Sequence, residues 1–162
     1  MQQQETPNTR YLQETRKIPF GRRLLAIDPG TKRIGVAVCD PQRITVTPLP
    51  IIHRRSWKDL LAKIRELLTE FDAAALVVGL PFNFDGSESE MSAEARRLAE
   101  KFSLSLDVPV ILQDERATTY EARRRMWLRN ADPEKMRETL DSEAAAVILG
   151  DLISRLDPPP DD

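Results

Sequence analysis

The chain predicts an α/β fold: a five-stranded mixed sheet, made of a three-strand meander followed by parallel strands, flanked by helices. Three observations lead there. Two apolar runs rich in branched residues flank the turn Asp28-Pro29-Gly30, as two strands with a tight connection require. Residues 74–80 and 108–112 are apolar almost without alternation, the pattern of strands covered on both faces. Between the later strands apolar residues recur at three-and-four spacing. Helices therefore link these strands, and helix-linked strands run parallel.

In order, strand one covers 23–28 and strand two 33–40, and the turn Asp40-Pro41-Gln42-Arg43 leads to a third strand over 44–48. Ser56 with Asp59 makes a capping-box-like start to a helix whose Leu60, Leu61, Ile64, Leu67, Leu68 and Phe71 share one face. Strand four covers 74–80 and is expected to end at Pro81. Asp85-Gly86 marks a turn within 83–87. The next helix carries Met91, Ala95, Leu98 and Phe102 on one stripe. Strand five covers 108–115 and ends in Asp114-Glu115. Thr118-Thr119-Tyr120-Glu121 then supplies a capping box for a helix to about Arg129. Asn130-Ala131-Asp132-Pro133 breaks the chain, and Asp141-Ser142 is expected to cap a last helix carrying Ala145, Ile148, Leu152 and Leu156.

With 162 residues one domain is the default, read here as 22–156. Residues 1–21 are polar and read as a disordered extension, and 157–162 as a disordered Pro/Asp tail. A net charge of −2, from 24 basic and 26 acidic residues, gives no global field to draw in nucleic acid or a membrane. Any such binding must come from local patches. The single Cys39 cannot form an internal disulfide and reads as a small buried packing residue. No run of about eighteen apolar residues exists to span a bilayer. A cytoplasmic protein with no membrane partner is the expectation.

Asp28, Glu115 and Asp141 come from distant segments, yet each lies at an element end that this topology could bring to one edge. In open sheets of this kind ligands bind at the carboxyl ends of the strands. Each acid has a simpler reading alone: Asp28 as a turn residue, Glu115 as the partner of Arg116 or a neighbour, Asp141 as a helix cap. Together they point to one or two divalent cations on hard oxygen ligands, because clustered like charges are costly without a cation. Such sites activate water for phosphodiester hydrolysis. Asp114 points to the opposite face from Glu115 and is the substitute ligand, and Glu143 reads as solvated first-turn charge.

Four blocks carry a resemblance: 25–38 (Leu-Ala-Ile-Asp-Pro-Gly-Thr-Lys-Arg-Ile-Gly-Val-Ala-Val), Val78-Gly79-Leu80-Pro81 with Asp85-Gly86-Ser87, 114–119 (Asp-Glu-Arg-Ala-Thr-Thr), and Asp141-Ser142-Glu143-Ala144-Ala145. In order and spacing, over about 22–156, they resemble the YqgF family, also called RuvX. The resemblance implies a ribonuclease H-like fold and a nuclease dependent on Mg²⁺ or Mn²⁺, with Asp28, Glu115 and Asp141 as catalytic metal ligands. It implies 5′-end maturation of pre-16S rRNA in ribosome biogenesis, or, by the older assignment, resolution of Holliday junctions. In related RuvC-type resolvases a carboxylate stands near the end of the strand that here reads Val77-Val78-Gly79-Leu80; this family lacks it, and Glu115 substitutes. Glu134 and Glu138 interrupt Lys135 and Arg137, where members of the family are more continuously basic.

Gly30, Thr31, Lys32, Arg33, Arg116, Thr118, Asn83 and Ser87 are the candidate substrate contacts, with Arg96 and Arg97 further from the acidic edge. Arg123, Arg124, Arg125 and Arg129 form a dense basic helix face. His53 has no carboxylate or Cys at ligand spacing and reads as solvated, and Trp57 and Trp127 as packing residues. The competing functions are a DNA endonuclease for branched junctions, which a homodimer would suit, a non-catalytic rRNA-binding assembly factor, and a phosphotransferase suggested by Asp28-Pro29-Gly30-Thr31. The last needs a second domain that 162 residues do not supply.

Overall fold

The computed structural model describes residues 18–82, 85–116 and 133–156, with backbone alone for 82, 116 and 133–139. Strands β1 (Arg23–Pro29), β2 (Arg33–Cys39) and β3 (Val46–His53) form the antiparallel meander. Helix α1 (Trp57–Glu70) leads to β4 (Ala73–Phe82), helix α2 (Glu90–Ser105) to β5 (Val110–Arg116), and α3 (Pro133–Arg155) closes the described chain. The sheet order is β3-β2-β1-β4-β5, with β1, β4 and β5 parallel. Their carboxyl ends therefore share one edge, as the sequence predicts.

Each face of the sheet has its own core. One cluster packs Leu25, Ile27, Leu76, Val78, Leu80 and Leu112 against Leu60, Ile64 and Leu67 of α1 and Leu98 and Phe102 of α2. Trp57 joins it, its ring 4.9 Å from that of Phe102. The other packs Leu24, Ala26, Val77 and Ile111 against Ile148, Leu149 and Leu152 of α3. Cys39 is buried there, its Sγ accepting the Leu24 N–H at 3.2 Å. Ile18, read from sequence as part of the extension, is buried in this second cluster too, and Arg43 donates to the Pro19 carbonyl at 2.8 Å. Ser56 caps α1 by accepting the Asp59 N–H, and Ser89 with Ser92 forms the capping box of α2. Ser92 takes the fully buried place expected for its neighbour Met91, held by hydrogen bonds to Ser89 and the Pro81 carbonyl.

Three boundaries differ from the sequence reading, each through proline. β3 continues beyond Pro48 and Pro50 to His53; it is an edge strand, where a missing N–H costs no ladder bond. β4 passes through Pro81. Leu76 donates to Pro109 on the β5 side, so by alternation Pro81 faces the β1 side, where pairing has already ended at Val78. The last helix starts at Pro133, since proline suits a first helical position. Asp141 and Ser142 therefore lie inside a helix and do not cap one. Glu143 is likewise mid-helix and half-buried, away from any first turn. The helix expected over 118–129 lies outside the described residues. No helix among the described residues is long and apolar enough to cross a membrane.

Candidate active site

Asp28 and Glu115 are each the last residue but one of their strands. Leu24 and Ala26 belong to the α3-side core, so alternation turns Asp28 toward α3; Ile111 does the same for Glu115. Leu112 belongs to the opposite core, which places Asp114 on the α1 and α2 face, away from Glu115, as expected.

Asp141 reaches this edge because β2 carries a glycine where α3 crosses. Gly35 is the register partner of Asp28, and a Cβ on Gly35 would stand 1.7 Å from the Asp141 carbonyl oxygen. Only a bare α-carbon allows the helix backbone so close. Ser142 secures the contact. Its hydroxyl donates to the Leu49 carbonyl at 2.5 Å and accepts the Val36 N–H at 3.3 Å. The β2–β3 register shifts just there, between Ile34 and Val36, so a helix side chain bridges two ladder groups of neighbouring strands.

The acids show the cost of their neighbours. Burial, then the charge of Asp141, pushes Asp28 up to about 7. Glu115 is pushed up to about 8 by burial, by a hydrogen bond with Asp151, and by the charges of Asp151 and Asp28; Arg155 opposes the shift. Two carboxyls hydrogen-bond only by sharing a proton. Glu115 Oε1 is buried without a hydrogen-bond partner. Arg33 Nε lies 3.1 Å from Asp141 Oδ2, so this arginine, expected at substrate phosphate, faces a carboxylate.

Among the described residues no three His, Cys, Asp or Glu side chains stand close enough together to hold a metal ion as they are. The donor chemistry nevertheless fits a hard divalent cation: carboxylate oxygens from β1, β5 and α3 whose raised proton affinities a cation would relieve, and a buried Glu115 oxygen with a free lone pair. Asp28 feels the charge of Asp141 across Gly35. Glu115 is hydrogen-bonded to Asp151 and feels the charges of Asp151 and then of Asp28.

The loop after Asp28 is braced. A Cβ on Gly30 would lie 2.3 Å from the Arg33 carbonyl, and the Gly30 carbonyl accepts Arg54 Nη1 at 3.1 Å. Thr31 and Lys32 are exposed beside it. Ser87 is exposed, donating its N–H to Asp85 Oδ1 at 2.8 Å. Arg116 ends β5 and is described by its backbone alone; Asn83, Thr118, the Arg123 to Arg129 cluster and Trp127 lie outside the described residues. His53 is exposed at the end of β3. Arg96 pairs with Glu88, and Arg97 with Glu94.

Two residues escaped the sequence reading. Asp151 is the lone acid in the apolar run 144–153, a signal that could have marked it. Arg54 has no such signal; its role comes from binding Gly30 and Glu94, distant in sequence.

A family model described as RuvX, Holliday junction resolvase, matches residues 22–155. A protein of Anaeromyxobacter sp., provisionally named pre-16S rRNA nuclease, is 41% identical over 127 residues, covering 78% of this chain and 93% of its own. One of Novosphingobium aromaticivorans with the same name is 40% identical over 136 residues, covering 84% and 87%. Among solved structures, T. thermophilus RuvC in complex with a Holliday junction substrate superposes with a TM-score of 0.51 at 16% identity, covering 85% of this chain and 97% of its own. That likeness gives the fold, which is ribonuclease H-like.

Proposed function

The chain belongs to the RuvX family of Holliday junction resolvases, and from that premise we propose that it is a metal-dependent nuclease that matures the 5′ end of pre-16S rRNA. The observation that carries this reading is the approach of Asp141 to Asp28 across Gly35, on the edge that Glu115 also reaches. Asp28, Asp141 and Glu115 would hold Mg²⁺ or Mn²⁺, which when bound supplies Lewis acidity and a water acidified toward neutral pH. The cytoplasm is the proposed compartment; the names of the relatives and a buried Cys39 without a disulfide agree with it.

The chain's own residues set the conditions. Near pH 7 Asp28 and Glu115 still retain much of their protons, and a cation must displace them. Activity therefore rises from pH 6 to above 8, as these carboxyls become available. Arg33, 3.1 Å from Asp141 Oδ2, ties that carboxylate to the start of β2. Thr31 and Lys32, exposed on the braced loop, would meet the substrate phosphates, with Ser87 on the loop after β4.

Cleavage of a pre-16S rRNA fragment and of a four-way DNA junction, by wild type and Asp28→Asn in Mg²⁺, Mn²⁺ or EDTA, tests the reading. Metal-dependent cutting of the RNA, reduced about 10³-fold in Asp28→Asn, is expected; that exceeds the roughly 10–100-fold loss typical of a group that merely supports a metal ligand. Cutting of the junction alone would assign a DNA resolvase. No cutting by wild type, with RNA still bound, would assign an assembly factor.

A further inference from the structure

On the face of the sheet opposite α3, a pocket of about 240 Å³ opens between the start of α1 and the middle of α2. Its rim carries Arg54, Arg55, Arg97 and Lys101, and its inner wall Trp57 and Leu98. In a chain of net charge −2 this is a local excess of four cations against one acid, Glu94. Glu94 does not cancel that excess so much as fix it: it binds Arg54 and takes Arg97 through Nε at 3.2 Å and Nη2 at 3.0 Å, holding both guanidiniums at the mouth. Lys101 sits over the Trp57 ring at 5.1 Å, and Arg55 is exposed with no ion pair among the described residues.

We propose that this pocket binds one nucleotide unit of the substrate strand, its phosphate on the cationic rim and its sugar or base on Trp57 and Leu98; this rests on the nuclease reading above. Cations around an aromatic wall are the chemistry by which single-stranded backbones are held without base readout. The pocket is also tied to the acidic edge. Arg54 donates its backbone N–H to the Lys32 carbonyl at 2.8 Å and Nη1 to the Gly30 carbonyl, so its wall is built onto the loop that follows Asp28. A strand lying in the pocket is thereby anchored on the far side of that loop from α3.

The test uses full-length protein, with Arg55→Glu and Lys101→Glu singly and together, and Lys63→Glu elsewhere on α1 as a control for charge alone. Binding of a labelled single-stranded RNA is read by anisotropy in EDTA across a salt series, and cleavage is read separately in Mg²⁺. The pocket predicts at least about tenfold weaker binding in the double variant, a salt slope shallower by about one for each phosphate-binding cation removed, and a change under about twofold in Lys63→Glu. In cleavage KM rises while kcat stays near wild type. Equal binding by wild type and the double variant, or equal weakening by the control, overturns the pocket and leaves the nuclease reading standing. The predicted weakening in the double variant, alongside a wild type that binds but cuts nothing, supports the pocket and removes the nuclease reading.

Discussion

The two faces of one sheet are built by opposite means. Toward α1 and α2 the packing is by large side chains interlocking, with Phe102, Ile64 and Leu76 fully buried. Toward α3 the helix descends onto glycine: its backbone at Asp141 occupies the space of a Gly35 side chain, and Ile148 that of a Gly79 side chain. The first face carries its charge as a cationic rim. The second concentrates Asp28, Glu115 and Asp141 where burial opposes the ionisation of Asp28 and Glu115. The first face is packed by side-chain interlocking; the second sets the candidate acids into its packing.

That division can be broken from either side. The largest expected loss of stability is Phe102→Ala, about 3–5 kcal/mol for removing a fully buried aromatic. Chemical denaturation should show it, while kcat of the molecules that remain folded stays within about twofold. Equal loss of kcat would mean that the faces are not separable. Gly35→Ala comes next, at about 3 kcal/mol, because a methyl placed against the Asp141 backbone must push α3 away. Unlike Phe102→Ala it should also cut cleavage by folded protein at least about tenfold. Ser142→Ala leaves the Val36 N–H and the Leu49 carbonyl without their bridge and should cost about 1–3 kcal/mol.

Asp28→Asn acts in the other direction on stability. The folded chain binds a proton at Asp28 more tightly than the unfolded chain, so that stabilisation is complete below the ordinary value of 3.8 and is lost as pH rises through about 7. In metal-free buffer the variant should therefore be more stable than wild type at pH 8 by on the order of 2 kcal/mol in chemical denaturation, with the gap closing toward pH 4. A gap independent of pH would sink the assignment of the burden to Asp28. Without a cation this face should be least stable at the high pH at which, with a cation bound, activity is highest.

Much of this was legible in the sequence because it depends on alternation and connection. The parallel order of β1, β4 and β5 follows from helical linkers, and the separation of Asp114 from Glu115 from a period of two. The acids at the ends of β1 and β5 lie at the edge their strands demand. What was not legible depends on partners distant in the chain. Pro81 looks like a strand end until the absence of β1 beside it is known. Asp141-Ser142 has the local composition of a helix cap, and only the packing against Gly35, Val36 and Leu49 gives it another role. Arg54 reads as one more surface charge until its two ends are seen to meet Gly30 and Glu94.

Asp141 and Asp28 oppose each other across Gly35. The most direct measurement is the titration of the Asp28 carboxyl carbon by NMR in metal-free protein, in wild type and Asp141→Asn, then with Mg²⁺ added. A midpoint near 7 is expected in wild type, a lower one in Asp141→Asn that burial still keeps above the ordinary value, and a fall in wild type when Mg²⁺ is present. A midpoint in the ordinary carboxylate range, unmoved by Asp141→Asn or by Mg²⁺, would contradict it.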